Sequence, residues 1–163
     1  MIIKIVNILT IALLSLNFSG CAAGGFNYAA DGIFGGYQDK KISANRYKVV
    51  YRLGSAVSSR KDGAMNIPLN YTLLRASEIT LLKGDKYFKI EEFMLDEDNY
   101  DFPTIYFQTF KTVPEDKKYT LVEKYTMQDY KSIYDMIDDS TYEGKVYSAK
   151  AISDTLKSYF KLN

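Results

Sequence analysis

The sequence predicts an α+β fold: a mainly antiparallel sheet with a β-α-β start and two packed helices, at about residues 66–83 and 148–161. Three observations carry this. Segments with aromatic or β-branched residues at every second position recur along the chain, as half-buried strands require. Two other segments set apolar residues three and four apart, the spacing of a helix face. Their order suits two helices laid against one sheet.

Length and composition bound the rest. The 163 residues, 47% of them apolar and 25% charged, fit one globular domain around one core. Basic and acidic residues nearly cancel, at 21 and 20, so no bulk positive field draws in nucleic acid, and none is expected as a partner. The chain has no histidine, the commonest general base near neutral pH and the commonest metal ligand. Its one cysteine forms neither an internal disulfide nor a zinc cluster. Hydrolases of the Ser-His-Asp and Cys-His kinds, and zinc enzymes, are thereby excluded. The expectation is a non-enzymatic protein with no cofactor, no metal and no catalytic residue.

Residues 1–20 open with one basic residue, Lys4, continue through an apolar run from Ile5 to Leu16 and end in small residues. That is the layout of a secretory signal. The run is broken by Asn7 and Thr10 and is short of the roughly 20 apolar residues a spanning helix needs. The stretch "FSGC" at 18–21 resembles the lipobox of bacterial lipoproteins, with Phe18 where an aliphatic residue is usual and small Ser19 and Gly20 before the cysteine. The resemblance implies signal cleavage between Gly20 and Cys21, a diacylglycerol thioether on Cys21, and the membrane as partner through that lipid. The plainer alternative is an ordinary signal peptide with Cys21 as a nearby thiol. Acyl chains burying methylenes at about 0.8 kcal/mol each give durable anchoring. In enteric-type sorting, Asp after the cysteine retains a lipoprotein at the inner membrane. Ala22 stands there, which implies the outer membrane, with the domain facing the periplasm. When Lys4 leaves with the signal, 20 basic residues match the 20 acidic ones.

Residues 21–44 read as the lipidated cysteine and a flexible tether, and 45–163 as a single α+β domain. Five glycines between Gly24 and Gly36, without apolar periodicity, argue for an irregular lead-in. Neither phosphate-loop spacing is present there, so a phosphate cradle is set aside. In "RYKVVYRLG", Tyr47, Val49 and Tyr51 alternate as a strand does, and "SAVSSRKDGAM" follows as a loop. The helix that comes next has Asn66 as N-cap, Pro68 in its first turn and Gly84 as its stop. Leu69, Leu73, Ala76 and Thr80 share one face, and Ile67, Tyr71, Leu74 and Leu81 nearly the opposite one, so both sides should be covered, one by the sheet and the other by a helix or a partner.

"KYFKIEEFML" alternates Phe88 and Ile90 with Lys89 and Glu91 and completes a strand-helix-strand crossover. After the acidic turn "DEDNYDFP", strands are expected in "TIYFQTFKT", "YTLVEKYTM" and "KSIYDMI", the first two as an antiparallel hairpin around "VPEDKK". Ala149, Ile152, Leu156 and Tyr159 or Phe160 then line one face of a last helix, with Ser148 as its cap and Lys157 and Lys161 suiting its C-terminal dipole.

Few residues carry chemistry. Arg75 and Glu78, three apart on the first helix, form a structural ion pair; the sharper reading makes Arg75 an anion contact. Asp96, Glu97, Asp98 and Asp101 lack the EF-hand order and read as a solvated loop rather than a calcium site. "SYFK" at 158–161 matches S-x-x-K but lacks the companion motifs of penicillin-binding enzymes. The fifteen tyrosines suit a carbohydrate or peptide face, but packing in strands accounts for most of them.

Gly35, Gly36 and Tyr37, then Leu73, Leu74, Arg75, Ala76, Glu78 and Thr80, then Gly84, Tyr87 and Phe88 follow a distinctive order. In this the chain resembles a family of small Gram-negative bacterial lipoproteins with no assigned activity. The resemblance spans about residues 35–92, with a weaker echo in "VYSAKAISDTL". It implies localisation and fold and supplies no reaction. The function expected is thus a lipid-anchored envelope protein with a binding or structural role and an envelope protein or the cell wall as partner. The alternative is a cell-wall or surface-glycan enzyme that uses carboxylates only.

Overall fold

The computed structural model describes residues 28, 30, 35–53, 66–96, 102–115, 118–126 and 142–162. Its elements are β1 (Gly35–Lys41), β2 (Arg46–Leu53), α1 (Asn66–Leu82), β3 (Tyr87–Asp96), β4 (Phe102–Phe110), β5 (Thr120–Val122), β6 (Lys145–Ser148) and α2 (Ala149–Phe160). The six strands form one sheet in the order β1-β2-β4-β3-β6-β5. Every neighbouring pair is antiparallel except β5 and β6. The α+β class is as the sequence predicts.

The β-α-β start takes a split form. Both β2 and β3 run antiparallel to β4, which lies between them, so the two strands flanking α1 are parallel but not adjacent. The hairpin expected between 104–112 and 119–127 does not form. β4 instead pairs with β2 and β3, and β5 lies at the far edge beside β6. Burial explains the choice: Ile105 and Phe107 are fully enclosed only in a central strand. The strand expected over 119–127 shrinks to Thr120–Val122. β6 has no counterpart in the sequence reading. The strand expected in "KSIYDMI" lies outside the described residues.

The tether is also corrected. Gly35–Lys41 pairs residue for residue with Tyr47–Leu53, and Ala30 bridges to Tyr37, so ordered structure begins well before residue 45. The side chains of β1 are mostly exposed beyond Tyr37, as befits an edge strand, and for that reason its sequence lacks a strand's apolar alternation.

α1 contacts β2, β3 and β4 on one side and α2 on another, covering it as its two apolar faces predict. Leu69, Leu73, Leu74 and Ala76 are fully buried, whereas Leu81, expected on the second buried face, is 39% exposed in the last turn. Three polar residues buried in α1 bond to their own helix: Thr72 to the Pro68 carbonyl at 2.9 Å, Ser77 to Leu74 at 2.7 Å and Thr80 to Ala76 at 2.8 Å. They need no outside partner, so the helix tolerates burial all round.

α1 stops as its sequence suggests. Gly84 adopts φ +80°, the Asp85 amide bonds Thr80 and the Gly84 amide bonds Leu81. This is a Schellman ending, with glycine in the left-handed position. α2 is capped by Ser148, which accepts from the Ala151 amide at 3.3 Å. Its other end repeats the Schellman pattern through Lys161 at φ 54°. Just past α1, Lys83 bonds Asp85 at 2.7 Å and Thr109 at 2.9 Å, tying the turn to β4. Burial alone raises the Asp85 pKa, but the bonds from Lys83 and Thr109 outweigh it and hold the carboxyl below its usual range.

β3 carries one irregularity. Ile90 pairs with Phe107 and Glu92 with Tyr106, so Glu91 is an extra, bulged residue. The bulge resets the alternation. Ile90 and Phe93, three apart, thereby both reach the core, at 2% and 8% exposure. Glu91 itself pairs with Arg46 at 2.7 Å.

Candidate functional site

The most concentrated polar chemistry lies where the N-terminal lead-in meets α1. Arg75 and Glu78 form the expected pair at 3.4 Å, but each has nearer partners. Arg75 gives its Nε and Nη2 to Oδ1 of Asp39 on β1, at 3.0 and 2.9 Å. Its guanidinium also sits 4.5 Å from the centre of the Tyr37 ring, close enough for a cation–π contact. Glu78 accepts from the Tyr28 hydroxyl at 2.5 Å and meets Lys157 of α2 at 3.2 Å.

Two anions and two cations therefore close on one another. Three donors occupy the Glu78 carboxylate, leaving it poorly placed to take a proton from a substrate. Burial, then the hydrogen bond to Glu78 and the charge of that carboxylate, push the Tyr28 phenol far above its ordinary pKa, and the opposing Arg75 charge does not prevail. Tyr28 is thus a neutral donor. For Arg75, burial works against the charged form, but the hydrogen bond and charge of Asp39 outweigh it and raise the pKa.

Aromatic rings extend this junction inward. Tyr28 packs on Tyr37 and Tyr71, with centroids 5.2 Å away in each case, and Tyr71 continues to Tyr51 at 5.3 Å and Phe160 at 4.5 Å. Lead-in, β1, β2, α1 and the end of α2 all meet in this cluster. Packing explains these tyrosines. The cluster acts as a clip holding the lead-in on the domain.

Beside the clip runs an open groove of about 730 Å³. It passes from Arg75 and Asp39, round the β1 edge, to Lys40, Lys48 and Arg52, with Ala30 on its rim. Register places Lys40 directly opposite Lys48, on the sheet face turned away from Val49 and Tyr51. Lys48 lies 5.4 Å from the Tyr106 ring centre.

Sequence spacing alone found Arg75 and Glu78. It missed Asp39, Tyr28 and Lys157, which lie 36, 50 and 79 positions from their partners on α1 and leave no local signal. Cys21 and Gly20 lie outside the described residues. So do Glu97, Asp98 and Asp101, while Asp96 closes β3. The S-x-x-K string falls at the end of α2, where Lys161 serves as the left-handed cap. Among the described residues no group of acidic or sulfur ligands gathers as a metal site, and no helix is long and apolar enough to cross a membrane.

No family model, curated protein or solved structure matches the chain. Its function is therefore read from its own residues.

Proposed function

We propose that the chain is a lipid-anchored envelope protein of the small Gram-negative lipoprotein family that its GGY, LLRAxExT and G-x-x-YF segments resemble. Its lipid is on Cys21, and its domain faces the periplasm, on the outer membrane, in a binding or structural role. The observation that carries this is the sole cysteine, preceded by Ser19 and Gly20 at the end of a short apolar run. The clip supports it from the other side. Seven residues after Cys21, the chain is fastened to α1 through Tyr28, which suits the base of a membrane tether.

The enzyme reading fares less well on the geometry. Glycoside hydrolysis by carboxylates alone takes an acid and a second carboxylate flanking one cleft. Among the described residues the groove presents one carboxylate, Asp39, and Arg75 holds it by two bonds. Metabolic labelling with palmitate tests the proposal: the label is expected on the intact chain and lost in Cys21→Ser. Equal labelling of the two chains contradicts it. Crosslinking in the native envelope then identifies the partner, a second envelope protein or the cell wall.

A further inference from the structure

The socket that receives Tyr28 is built by the domain. Glu78 of α1 accepts its hydroxyl at 2.5 Å, Tyr37 of β1 and Tyr71 of α1 pack on its ring with centroids at 5.2 Å, and Ala30 adds a parallel bridge to Tyr37. None of these contacts depends on which copy of the chain supplies the tyrosine. There is also room beside the socket, since the groove lined by Tyr37, Asp39 and Arg75 is open along the β1 edge, with Ala30 on its rim.

The connection into the clip is short. At Ala30 the chain runs parallel to β1, yet six residues, 31–36, separate the bridged pair. Parallel strands are ordinarily joined by roughly a dozen residues or more, because the chain has to travel back before it runs forward again. The last step of this tight return is made by Gly35 at φ +82° and Gly36 at φ +144°, a half of backbone space that side chains disfavour. Both glycines are buried, Gly35 opposite Leu53 and Gly36 opposite Arg52 on β2. A short, constrained connection favours exchange of the element it carries, because between two copies the same contacts form with the connection extended.

We infer that two copies of this chain pair by exchanging lead-ins, with Tyr28 of each donating to Glu78 of the other and Ala30 of each lying against the other's β1. A second copy is the occupant that the socket fits, since its lead-in carries the same Tyr28 and Ala30. The exchanged pair keeps every contact of the clip and straightens two connections. Against this stands the freedom lost on association, so the paired fraction rises with the density of copies. Exchange does not require the lipid on Cys21, and failure of the anchor leaves it standing.

The test uses two full-length chains with different tags, co-expressed, one of them with Ala30 replaced by the photoreactive amino acid benzoylphenylalanine. After irradiation, mass spectrometry sorts the crosslinks from position 30 into those within one chain and those between the two tags. Crosslinks to residues 35–41 of the other tag are expected, and are expected to increase with expression level. Adding Tyr28→Ala to the photoreactive chain is expected to abolish them. Inserting Gly-Ser-Gly-Ser before Gly35 in both chains is expected to reduce them severalfold, with the within-chain crosslink rising in their place. The insertion lengthens the connection and leaves both Tyr28 and its socket intact, so it separates exchange from a fold weakened by Tyr28→Ala. Crosslinks confined to one chain at every expression level overturn the inference. So does a mixed product that persists in Tyr28→Ala or is unchanged by the insertion.

Discussion

Two tyrosine hydroxyls fasten distant segments to the same helix, by opposite means. Tyr28 donates to a charged acceptor, Glu78, in a part-buried setting shared with Arg75 and Lys157. Tyr125, on the segment after β5, donates to a neutral acceptor, Asn70 Oδ1, at 2.7 Å in the interior, and its carbonyl accepts from Thr155 of α2 at 3.1 Å. The charged clip sits where water and ions reach it, so its strength answers to salt and pH. The neutral one is insulated from both, and relies on having no buried group unsatisfied. The lead-in is thus held by an adjustable fastening and the interior segment by a fixed one.

The contrast breaks most visibly at Asn70. Asn70→Ala strips a fully buried acceptor from Tyr125 and leaves a void, and is expected to cost about 3 kcal/mol by urea denaturation, the same at low and high salt. A salt-dependent loss contradicts the insulated character of this pair. Glu78→Gln removes the charge on which Tyr28, Arg75 and Lys157 converge. Its expected cost is about 2 kcal/mol at low salt, shrinking toward 1 M salt, when the same denaturation is repeated across that range.

Tyr28→Phe should cost less, about 1.5 kcal/mol, but it carries a pH signature. Because the folded pKa of Tyr28 lies above its unfolded value, its contribution is complete below about pH 10 and declines as pH rises beyond that. Stability of the intact chain is therefore expected to fall more steeply than that of Tyr28→Phe above pH 10, by at most about 1.4 kcal/mol per pH unit. Parallel slopes in alkaline denaturation contradict the neutral-donor role. The smallest effect is a gain. Lys161→Gly relieves a side chain held at positive φ and is expected to add up to about 1 kcal/mol, raising the thermal midpoint by steadying the end of α2 that presents Lys157 and Phe160.

Legibility in the sequence followed locality. α1 and α2 were readable because their signals, Gly84, Ser148 and the apolar spacing, lie within or directly beside each element. β4 was readable as a strand but not in its pairing. A short polar connection suggested that it turns back on the next segment, whereas enclosing Ile105 and Phe107 required neighbours from both sides. β6, at four residues, is too short to show a period, and Val146 and Tyr147 are both buried, so no alternation marks it. Of the charged clip, the pair three residues apart was visible. Asp39, Tyr28 and Lys157 were not, because the fold alone brings them to α1.

The bulge at Glu91 bears on which changes of length the domain tolerates. In a regular central strand, deleting one residue turns every later side chain inside out. Here the opposite holds: without Glu91, Ile90 still pairs with Phe107, Glu92 with Tyr106 and Phe93 with Ile105, and only the Arg46 contact is lost. Position 91 is therefore a natural gap site, where related chains can differ by one residue while their cores stay superimposable.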